Sequence, residues 1–262
     1  MVEGREGDLT GAIALVTGVG LGIGHGIVEA LARSGAIVAV NDVVEGRAEA
    51  VAATVNESGG RAAGFVGDIS SPDDVSRLVR SVEDTFGQVD VLVNNAGAFC
   101  TKPFPENTVE DWDRVFAVNV RGCFLCISAV LPSMIERRRG NIINIASIAA
   151  FNTTGIHVAY GASKAAVVTM TRDIASEVSG FGIRVNAVAP GPIGQGAKLL
   201  LTEPHSGILL PYAGTPLDIG NAVAFLASDR AKFITGETLA VAGGSNLKVD
   251  ISNKPAVLPA SS

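Results

Sequence analysis

Short apolar runs alternate along the chain with longer stretches of helical periodicity. The first run, 12–17, is apolar at nearly every position, which is typical of a strand buried on both faces of a sheet. Such strands occur in parallel sheets, where helices cross over both faces. The pattern therefore predicts an α/β domain with a parallel sheet of about seven strands. The predicted strands are 12–17, 36–40, 62–66, 89–93, 142–146, 183–188 and 238–241.

Capping residues indicate where helices begin between these runs. Ser71 and Thr215 each precede a proline, which is the signal of an N-cap followed by the first helical position. Thr108 is predicted to cap a further helix, and a separate long helix is predicted over 119–139. The other predicted helices cover 45–57, 71–86, 159–179 and 215–228, besides one that follows the first glycine-rich turn and ends at Arg33.

The alternation continues without a linker or a repeat, so the sequence predicts one domain over 1–262. One irregular stretch, 190–214, is far longer than a usual loop between a strand and a helix, and such segments commonly form lids or binding loops. We assign the substrate-binding loop to 192–215 and an aperiodic C-terminal tail to 245–262.

Composition excludes several classes of function. The net charge of −6 argues against a nucleic acid partner, and the three cysteines provide neither a disulfide framework nor a metal site. Cys123 and Cys126 fall in an apolar helical run and are interpreted as buried residues. The N-terminus lacks the apolar core of a signal peptide, and the longest charge-free stretch, 141–163, is too polar to span a membrane. We therefore expect a cytoplasmic protein without a membrane partner.

Glycines directly after the first predicted strand indicate a dinucleotide site. Gly18, Gly22 and Gly24 open the following helix, where bare backbone would allow a pyrophosphate to approach the helix N-terminus. A glycine turn can also be purely steric, so this feature needs support from elsewhere in the chain.

An aspartate at the end of the second predicted strand supplies that support. Asp42 follows the glycines at roughly the spacing of a carboxylate that accepts the ribose 2′-hydroxyl of a dinucleotide. The same carboxylate would repel a 2′-phosphate, and neither Leu21 nor Val43 is a basic residue that would hold one. Both facts favour NAD over NADP, although an aspartate at this junction can also act only as a cap.

A tyrosine and a lysine four positions apart mark the helix predicted over 159–179. Tyr160 and Lys164 would lie on one helix face, and an ammonium beside a phenol favours the phenolate and lowers its pKa. Ser147 follows a predicted strand and would bring a hydroxyl to the same place. The three groups would suit proton exchange with one reacting oxygen. Because such a pair also occurs by chance on surface helices, the glycine turn and Asp42 decide the interpretation.

Together these motifs resemble the short-chain dehydrogenase/reductase superfamily over about residues 8–245. The resemblance implies a Rossmann-type, doubly wound α/β fold and an oxidoreductase that transfers a hydride between NAD(H) and a secondary alcohol or ketone. It is carried by Thr17-Gly18-x-x-x-Gly22-Ile23-Gly24, Asp68, Asn94-Asn95-Ala96-Gly97, Asn119, Ser147, Tyr160-x-x-x-Lys164 and Pro190-Gly191.

The resemblance also implies roles for individual residues. Tyr160 would exchange the proton, Lys164 would hold the nicotinamide ribose, Ser147 would orient the substrate oxygen, and Asn119 would anchor a water. The implied cofactor-binding residues are Gly18, Gly20, Leu21, Gly22, Ile23, Asp42, Asp68, Ile69, Asn95, Ala96, Gly97, Tyr160, Lys164, Pro190, Gly191 and Ile193. The implied substrate-binding residues are Ser147, Ala149, Phe151, His157 and Tyr160, with Phe99 as a further pocket position.

The chain departs from the family pattern at the substrate end. The family commonly has a threonine two positions after the isoleucine that corresponds to Ile193, where this chain has Gln195. The pocket positions include no arginine or lysine for an anionic group, so we expect an uncharged, apolar or cyclic alcohol or ketone. Two alternatives remain, a 3-oxoacyl-thioester (acyl-carrier-protein) reductase and a non-catalytic dinucleotide-binding sensor. The resemblance further implies a homodimer or homotetramer.

Overall fold

The structure, a computed structural model, describes residues 9–20, 22–153, 155, 157–194, 208–210 and 212–247. Seven strands form one sheet in the order β3-β2-β1-β4-β5-β6-β7, and every neighbouring pair is parallel. This confirms the predicted fold class. The strands are β1 (Ile13–Thr17), β2 (Ile37–Asp42), β3 (Arg61–Val66), β4 (Val91–Asn94), β5 (Gly140–Ile145), β6 (Ile183–Pro190) and β7 (Thr238–Val241).

Helices cover both faces of the sheet. The side chains of β1 alternate between two apolar clusters, with Val16 in the cluster formed with α1, α2 and α7, and Leu15 in the cluster formed with α3, α5 and α6. The helices are α1 (Ile23–Arg33), α2 (Arg47–Glu57), α3 (Pro72–Phe86), α4 (Val109–Phe116), α5 (Cys123–Arg137), α6 (Val158–Val178) and α7 (Pro216–Ala227).

The predicted helix starts are confirmed by their caps. The Ser71 hydroxyl accepts a hydrogen bond from the backbone of Asp74, and Thr108 forms a capping box with Asp111 at the start of α4. Thr215 forms the same arrangement at the start of α7.

The prediction of a separate helix over 119–139 is wrong. A π-helical turn, Ala117–Gly122, joins α4 to α5 without a break, because no residue before Gly122 in that turn stops a helix. Gly122 itself lies against Ile69, since a Cβ there would be 2.5 Å from the Ile69 Cδ1 atom. The turn carries the buried side chain of Asn119 towards the end of β4.

Among the described residues, Val109–Arg137 is the one helix whose length and mean hydropathy would allow it to cross a membrane. Cys123 and Cys126 are buried, as expected, in the apolar cluster that contains Leu15 of β1. A buried helix of a globular domain meets the same criterion. Arg137 ends this helix, and its Nη1 atom forms an ion pair with the Asp90 carboxylate at 2.8 Å, just before β4.

Candidate active site

A cleft of about 600 Å³ opens at the carboxyl ends of the strands. The strand order reverses between β1 and β4, and ligands of doubly wound sheets bind at this point. The glycine turn after β1 forms one wall of the cleft, and α6 with the end of β5 forms the other.

Ten of the predicted cofactor residues line this cleft. They are Gly18, Gly22, Ile23, Asn95, Gly97, Tyr160, Lys164, Pro190, Gly191 and Ile193. Gly20, Asp42, Asp68, Ile69 and Ala96 lie outside it, and Leu21 lies outside the described residues.

The glycine turn has room for a pyrophosphate. Gly18 has a φ of 64°, and a Cβ there would lie 2.4 Å from the Ala96 Cα atom, so no larger residue fits. At the start of α1, Gly22 provides no side-chain cap, and the first turn contains no acidic residue. The first N–H groups of α1 are therefore left for a ligand, and the helix dipole favours an anion there. The residues present fit a dinucleotide.

Hydrogen bonds between β1 and β4 fix the shape of this turn. The Thr17 hydroxyl accepts from the backbone N–H groups of Asn95 and Ala96, at 3.1 and 3.2 Å. The Asn95 amide donates to the carbonyls of Thr17 and Gly18, at 3.0 and 2.6 Å. Hydrogen bonds from Asn95 and Ala96 thus hold the backbone of the glycine turn in place.

The predicted ribose carboxylate already has several partners. The Asp42 oxygens accept from the backbone N–H groups of Gly20 and Val44, at 3.0 and 2.9 Å. Arg47, the first residue of α2, places its Nη1 atom 3.5 Å from Asp42 Oδ1. Sequence reasoning missed this basic residue, because only the fold of the connection to α2 brings it back to β2. Its charge offsets part of the repulsion that Asp42 would exert on a 2′-phosphate.

Asp68 and Ile69 shape the loop after β3. The Asp68 carboxylate accepts from both the N–H and the hydroxyl of Ser70, each at 2.8 Å. Ile69 is buried, with its side chain against Gly122. The side chain of Ile69 therefore belongs to the core, so the cofactor contact that the resemblance implies for Ile69 would involve its main chain.

Ser147, Tyr160 and Lys164 meet on the floor of the cleft. Ser147 accepts a hydrogen bond from the Ala149 N–H at 3.1 Å, and its side chain interacts with the Tyr160 phenol. Lys164 is only 4% exposed, and its Nζ atom donates to the Ile145 carbonyl at 2.7 Å. The same Nζ atom lies 5.6 Å from the centre of the Tyr160 ring.

The expected lowering of the Tyr160 pKa is not what these contacts produce. Burial raises the pKa of Tyr160, and the Ser147 hydrogen bond opposes that rise in part. Lys164 does not lower it, because its ammonium is directed to Ile145 and not to the phenol oxygen. Burial also lowers the pKa of Lys164 to about 8.

Asn119 ties the loop after β4 to helix α6. Its amide donates to the Ala98 carbonyl at 3.0 Å and to the Ser163 hydroxyl at 2.9 Å, and its Oδ1 atom accepts from the Ala98 N–H. A Cβ on Gly97 would lie 3.6 Å from Asn119 Oδ1 and 3.8 Å from Lys164 Nζ. Asn119 and Lys164 thus approach the same glycine from two sides.

The substrate end of the cleft is mostly apolar. Phe99 stacks on Tyr160, and His157 meets the Tyr160 ring edge-on with ring centres 6.2 Å apart. Ala149 lines the cleft, whereas Phe151 is half-exposed and does not, because it follows the short 3₁₀ turn Ile148–Ala150 and leaves the site. At the mouth, Ile193 forms a bridge to Gly214, and Gln195 lies outside the described residues.

A doubly wound sheet with this glycine turn, and with a serine, a tyrosine and a lysine beside it, defines a nicotinamide-dinucleotide-dependent oxidoreductase. The family model described as "Enoyl-(Acyl carrier protein) reductase" matches residues 18–246. The chain belongs to the short-chain dehydrogenase/reductase superfamily.

Individual relatives are similar along nearly their whole length. The chain is 40% identical to 2-(S)-hydroxypropyl-CoM dehydrogenase 3 of Xanthobacter autotrophicus, over 90% of this chain and 97% of that protein. It is 39% identical to the 3-oxoacyl-[acyl-carrier-protein] reductase FabG of Staphylococcus epidermidis, over 88% and 97% respectively. A blue fluorescent protein from a metagenomic library, crystallised with NADPH, is 37% identical and superimposes with a TM-score of 0.81, over 91% of this chain and 99% of that one.

Proposed function

We propose that the protein interconverts a secondary alcohol and a ketone with NAD(H). The convergence of Ser147, Tyr160 and Lys164 in the cleft, beside an uncapped helix start, carries this proposal. The nicotinamide ring, when bound, accepts or supplies the hydride. All other steps belong to side chains of the chain itself.

Each polar side chain of the cleft has a separate role in the proposed reaction. In reduction, the Tyr160 phenol gives its proton to the substrate oxygen while the hydride adds to the carbonyl carbon, and in oxidation the Tyr160 phenolate takes the hydroxyl proton while the hydride leaves the carbinol carbon. The Ser147 hydroxyl, held by the Ala149 N–H, donates to the same oxygen and stabilises its developing charge. Lys164 would turn from the Ile145 carbonyl to hold the ribose hydroxyls.

We propose an uncharged, apolar or cyclic substrate. Lys164 is the one lysine or arginine among the residues that line the described cleft, and it is buried. A carboxylate or phosphate on the substrate would have no lysine or arginine beside it near Phe99 and Ala149. The support for an apolar substrate is therefore the make-up of these walls.

We propose NAD(H) as the preferred cofactor. The buried Asp42 carboxylate at the end of β2 accepts from the Gly20 N–H beside the glycine turn, and a carboxylate there would favour a ribose hydroxyl over a phosphate. Arg47 acts in the opposite direction, and the related blue fluorescent protein was crystallised with NADPH. We expect a moderate preference because the two charges lie side by side.

A second candidate is reduction of a 3-oxoacyl thioester. It is favoured by the similarity to FabG over 88% of the chain, and the description of the matching family model names an acyl-carrier-protein substrate as well, although for an enoyl group. This reaction uses the same hydroxyl, phenol and ammonium, and differs in the substrate that the mouth of the cleft must accept.

One experiment separates the candidates. Purified protein is incubated with NAD and a panel of apolar secondary alcohols, and with NADH or NADPH and an acetoacetyl thioester, while the absorbance of reduced nicotinamide is followed. Turnover of the alcohols at higher kcat/KM supports the first candidate, and turnover of the thioester supports the second. Tight NADH binding without turnover of either would favour the non-catalytic sensor.

We also propose a homo-oligomer. Val109, Trp112 and Phe124 leave an exposed apolar surface on the helix that runs from 109 to 137. Light scattering after size exclusion would measure the mass, and a monomer at micromolar concentration would refute this part of the proposal.

A further inference from the structure

The ring of Phe99 lies flat against the ring of Tyr160. Their centres are 4.3 Å apart, and the two planes differ by 23°. Phe99 remains 55% exposed, and it lines the cleft on the side where a substrate must enter. One part of this ring therefore covers the phenol, and another part borders the space for the substrate.

The backbone around Phe99 is held in place by side chains from α4 and the π-helical turn. The Arg114 guanidinium donates to the Phe99 carbonyl at 2.9 Å. The preceding residue, Ala98, exchanges two hydrogen bonds with the side chain of Asn119. Further along, the Asn107 amide donates to the carbonyl of Lys102 at 3.1 Å. These hydrogen bonds restrain the loop that carries Phe99, and they therefore restrain the position of its ring against Tyr160.

We propose that Phe99 is a positioning and specificity residue: it holds the Tyr160 phenol from one face and offers its exposed part to the substrate as a flat apolar wall. A wall of this shape selects substrates with a planar or cyclic group beside the carbinol carbon, since such a group can pack along it. The selection of substrate rests on the proposed function, whereas the positioning of Tyr160 is a property of the free protein.

The other groups around Tyr160 are known from the structure. The Ser147 side chain interacts with the phenol, Lys164 Nζ lies 5.6 Å from the ring centre, and the His157 ring meets the Tyr160 ring edge-on with ring centres 6.2 Å apart. The His157 Nδ1 atom is buried and has no hydrogen-bond partner among the described residues. Phe99 is the group that keeps water from the stacked face, in agreement with a Tyr160 pKa raised by burial.

Titration of the phenol tests the positioning without any substrate. The chain has only two tyrosines, Tyr160 and the exposed Tyr212, so the ultraviolet signal of phenolate formation can be assigned by subtracting a Tyr160→Phe variant. In Phe99→Ala the apparent pKa of Tyr160 falls towards its ordinary value, because water reaches the ring. Arg114→Ala gives a smaller shift in the same direction, although Arg114 is not a lining residue of the cleft.

Matched controls separate positioning from a general loss of structure. Phe104→Ala removes the same side chain from the same loop, at a position that is 71% exposed and outside the cleft, and it leaves the titration unchanged. Phe99→Leu keeps an apolar cover without a ring and gives a value between wild type and Phe99→Ala. If Tyr160 titrates alike in wild type and in a folded Phe99→Ala variant, the proposed positioning is wrong.

Kinetics then test the wall. Loss of an aromatic contact corresponds to roughly a two- to tenfold effect, so Phe99→Ala raises KM for cyclic substrates by about that factor and changes KM for short open-chain substrates less. Equal effects on both classes would overturn the specificity role. If wild type turns over no substrate, the proposed function fails, and the titration alone still decides whether Phe99 positions the phenol.

Discussion

Lys164 lies over the ring of Tyr160 without donating to its oxygen. The ammonium donates instead to the carbonyl of Ile145, and no described residue forms a salt bridge with it. A buried ammonium without an ionic partner is unfavourable, and its pKa is accordingly lowered to about 8. In the free protein the Lys164 ammonium has the Ile145 carbonyl as its acceptor, and the ribose hydroxyls of a bound cofactor would give it further acceptors.

The first prediction concerns the pH dependence of stability. The pKa of Lys164 is lower in the folded protein than its ordinary value of 10.5, so the unfolded chain binds more protons between about pH 8 and pH 10.5. The free energy of unfolding of wild type therefore rises with pH in this window, relative to Lys164→Met, by up to the order of 3 kcal/mol. Urea denaturation of both proteins at several pH values, without cofactor, measures the difference.

The comparison with Lys164→Met reduces the effect of other groups that titrate between about pH 8 and pH 10.5. Burial raises the pKa of Tyr160 and of Cys123, and both effects lower the stability of either protein as the pH rises. The contribution of Tyr160 cancels in the difference between wild type and Lys164→Met, whereas Cys123 interacts electrostatically with Lys164 and cancels only in part. A difference that stays constant from pH 7 to pH 10.5 would mean that Lys164 has the same pKa in the folded and the unfolded protein.

The second prediction concerns proton transfer. Tyr160→Phe keeps the ring that stacks on Phe99 and removes only the oxygen that exchanges the proton. We expect kcat to fall by about 10²- to 10⁴-fold, the usual contribution of general acid–base catalysis. The affinity for NADH, followed by its fluorescence, should change less than threefold, roughly the effect of one weak hydrogen bond. Turnover at the wild-type rate would refute the proposed role.

The third prediction concerns the choice between NAD and NADP. Arg47→Ala leaves the carboxylate of Asp42 without a neighbouring cation, so it should weaken NADP(H) binding about five- to tenfold and change NAD(H) binding little. Asp42→Ala should act in the opposite sense and improve NADP(H) relative to NAD(H). The dissociation constants of both reduced cofactors give the ratio for each variant.

A matched arginine variant controls for a general loss of positive charge. Arg33→Ala removes an exposed arginine that pairs with Glu29 on α1, away from the cleft, and the cofactor ratio should stay as in wild type. If Arg47→Ala and Arg33→Ala have the same ratio, Arg47 takes no part in the choice of cofactor.

The sequence predicted the sheet well because strands buried on both faces are continuous apolar runs. The predicted bounds of β1, β3 and β7 agree with the structure within one residue, and the caps at Ser71, Thr108 and Thr215 are confirmed. The π-helical turn at 117–122 was missed, since a turn with one extra residue has no distinct residue pattern. That turn determines where Asn119 points.

In the candidate site, the sequence predicted which side chains lie near one another but not how they are oriented. The spacing of Tyr160 and Lys164 places them on one helix face, but the long lysine side chain has several possible acceptors and donates to Ile145. Arg47 approaches Asp42 only because of how α2 follows β2, and Phe151 leaves the cleft because a short turn ends before it. Spacing in the sequence indicates which groups are near, whereas the orientation of each group depends on tertiary contacts.

The last prediction concerns the close packing of α1 against α7. A Cβ on Gly220 would lie 2.1 Å from the Gly26 carbonyl oxygen, so Gly220→Ala forces the two helices apart. Alanine favours a helix by about 1 kcal/mol over glycine, but the clash should exceed this and lower the free energy of unfolding by a net ~1–3 kcal/mol. Because α1 also carries the N–H groups at Gly22, its displacement should weaken NADH binding as well.

Gly180→Ala is the control for this substitution. No atom lies within 4 Å of the position of a Cβ at Gly180, and its φ is not in the left-handed region. We expect its stability to equal that of wild type or exceed it by less than about 1 kcal/mol, because alanine restricts the unfolded chain. Urea midpoints and NADH titrations of both variants give the comparison. A Gly220→Ala protein as stable and as tightly binding as Gly180→Ala would show that α1 and α7 can separate without disturbing the cofactor turn.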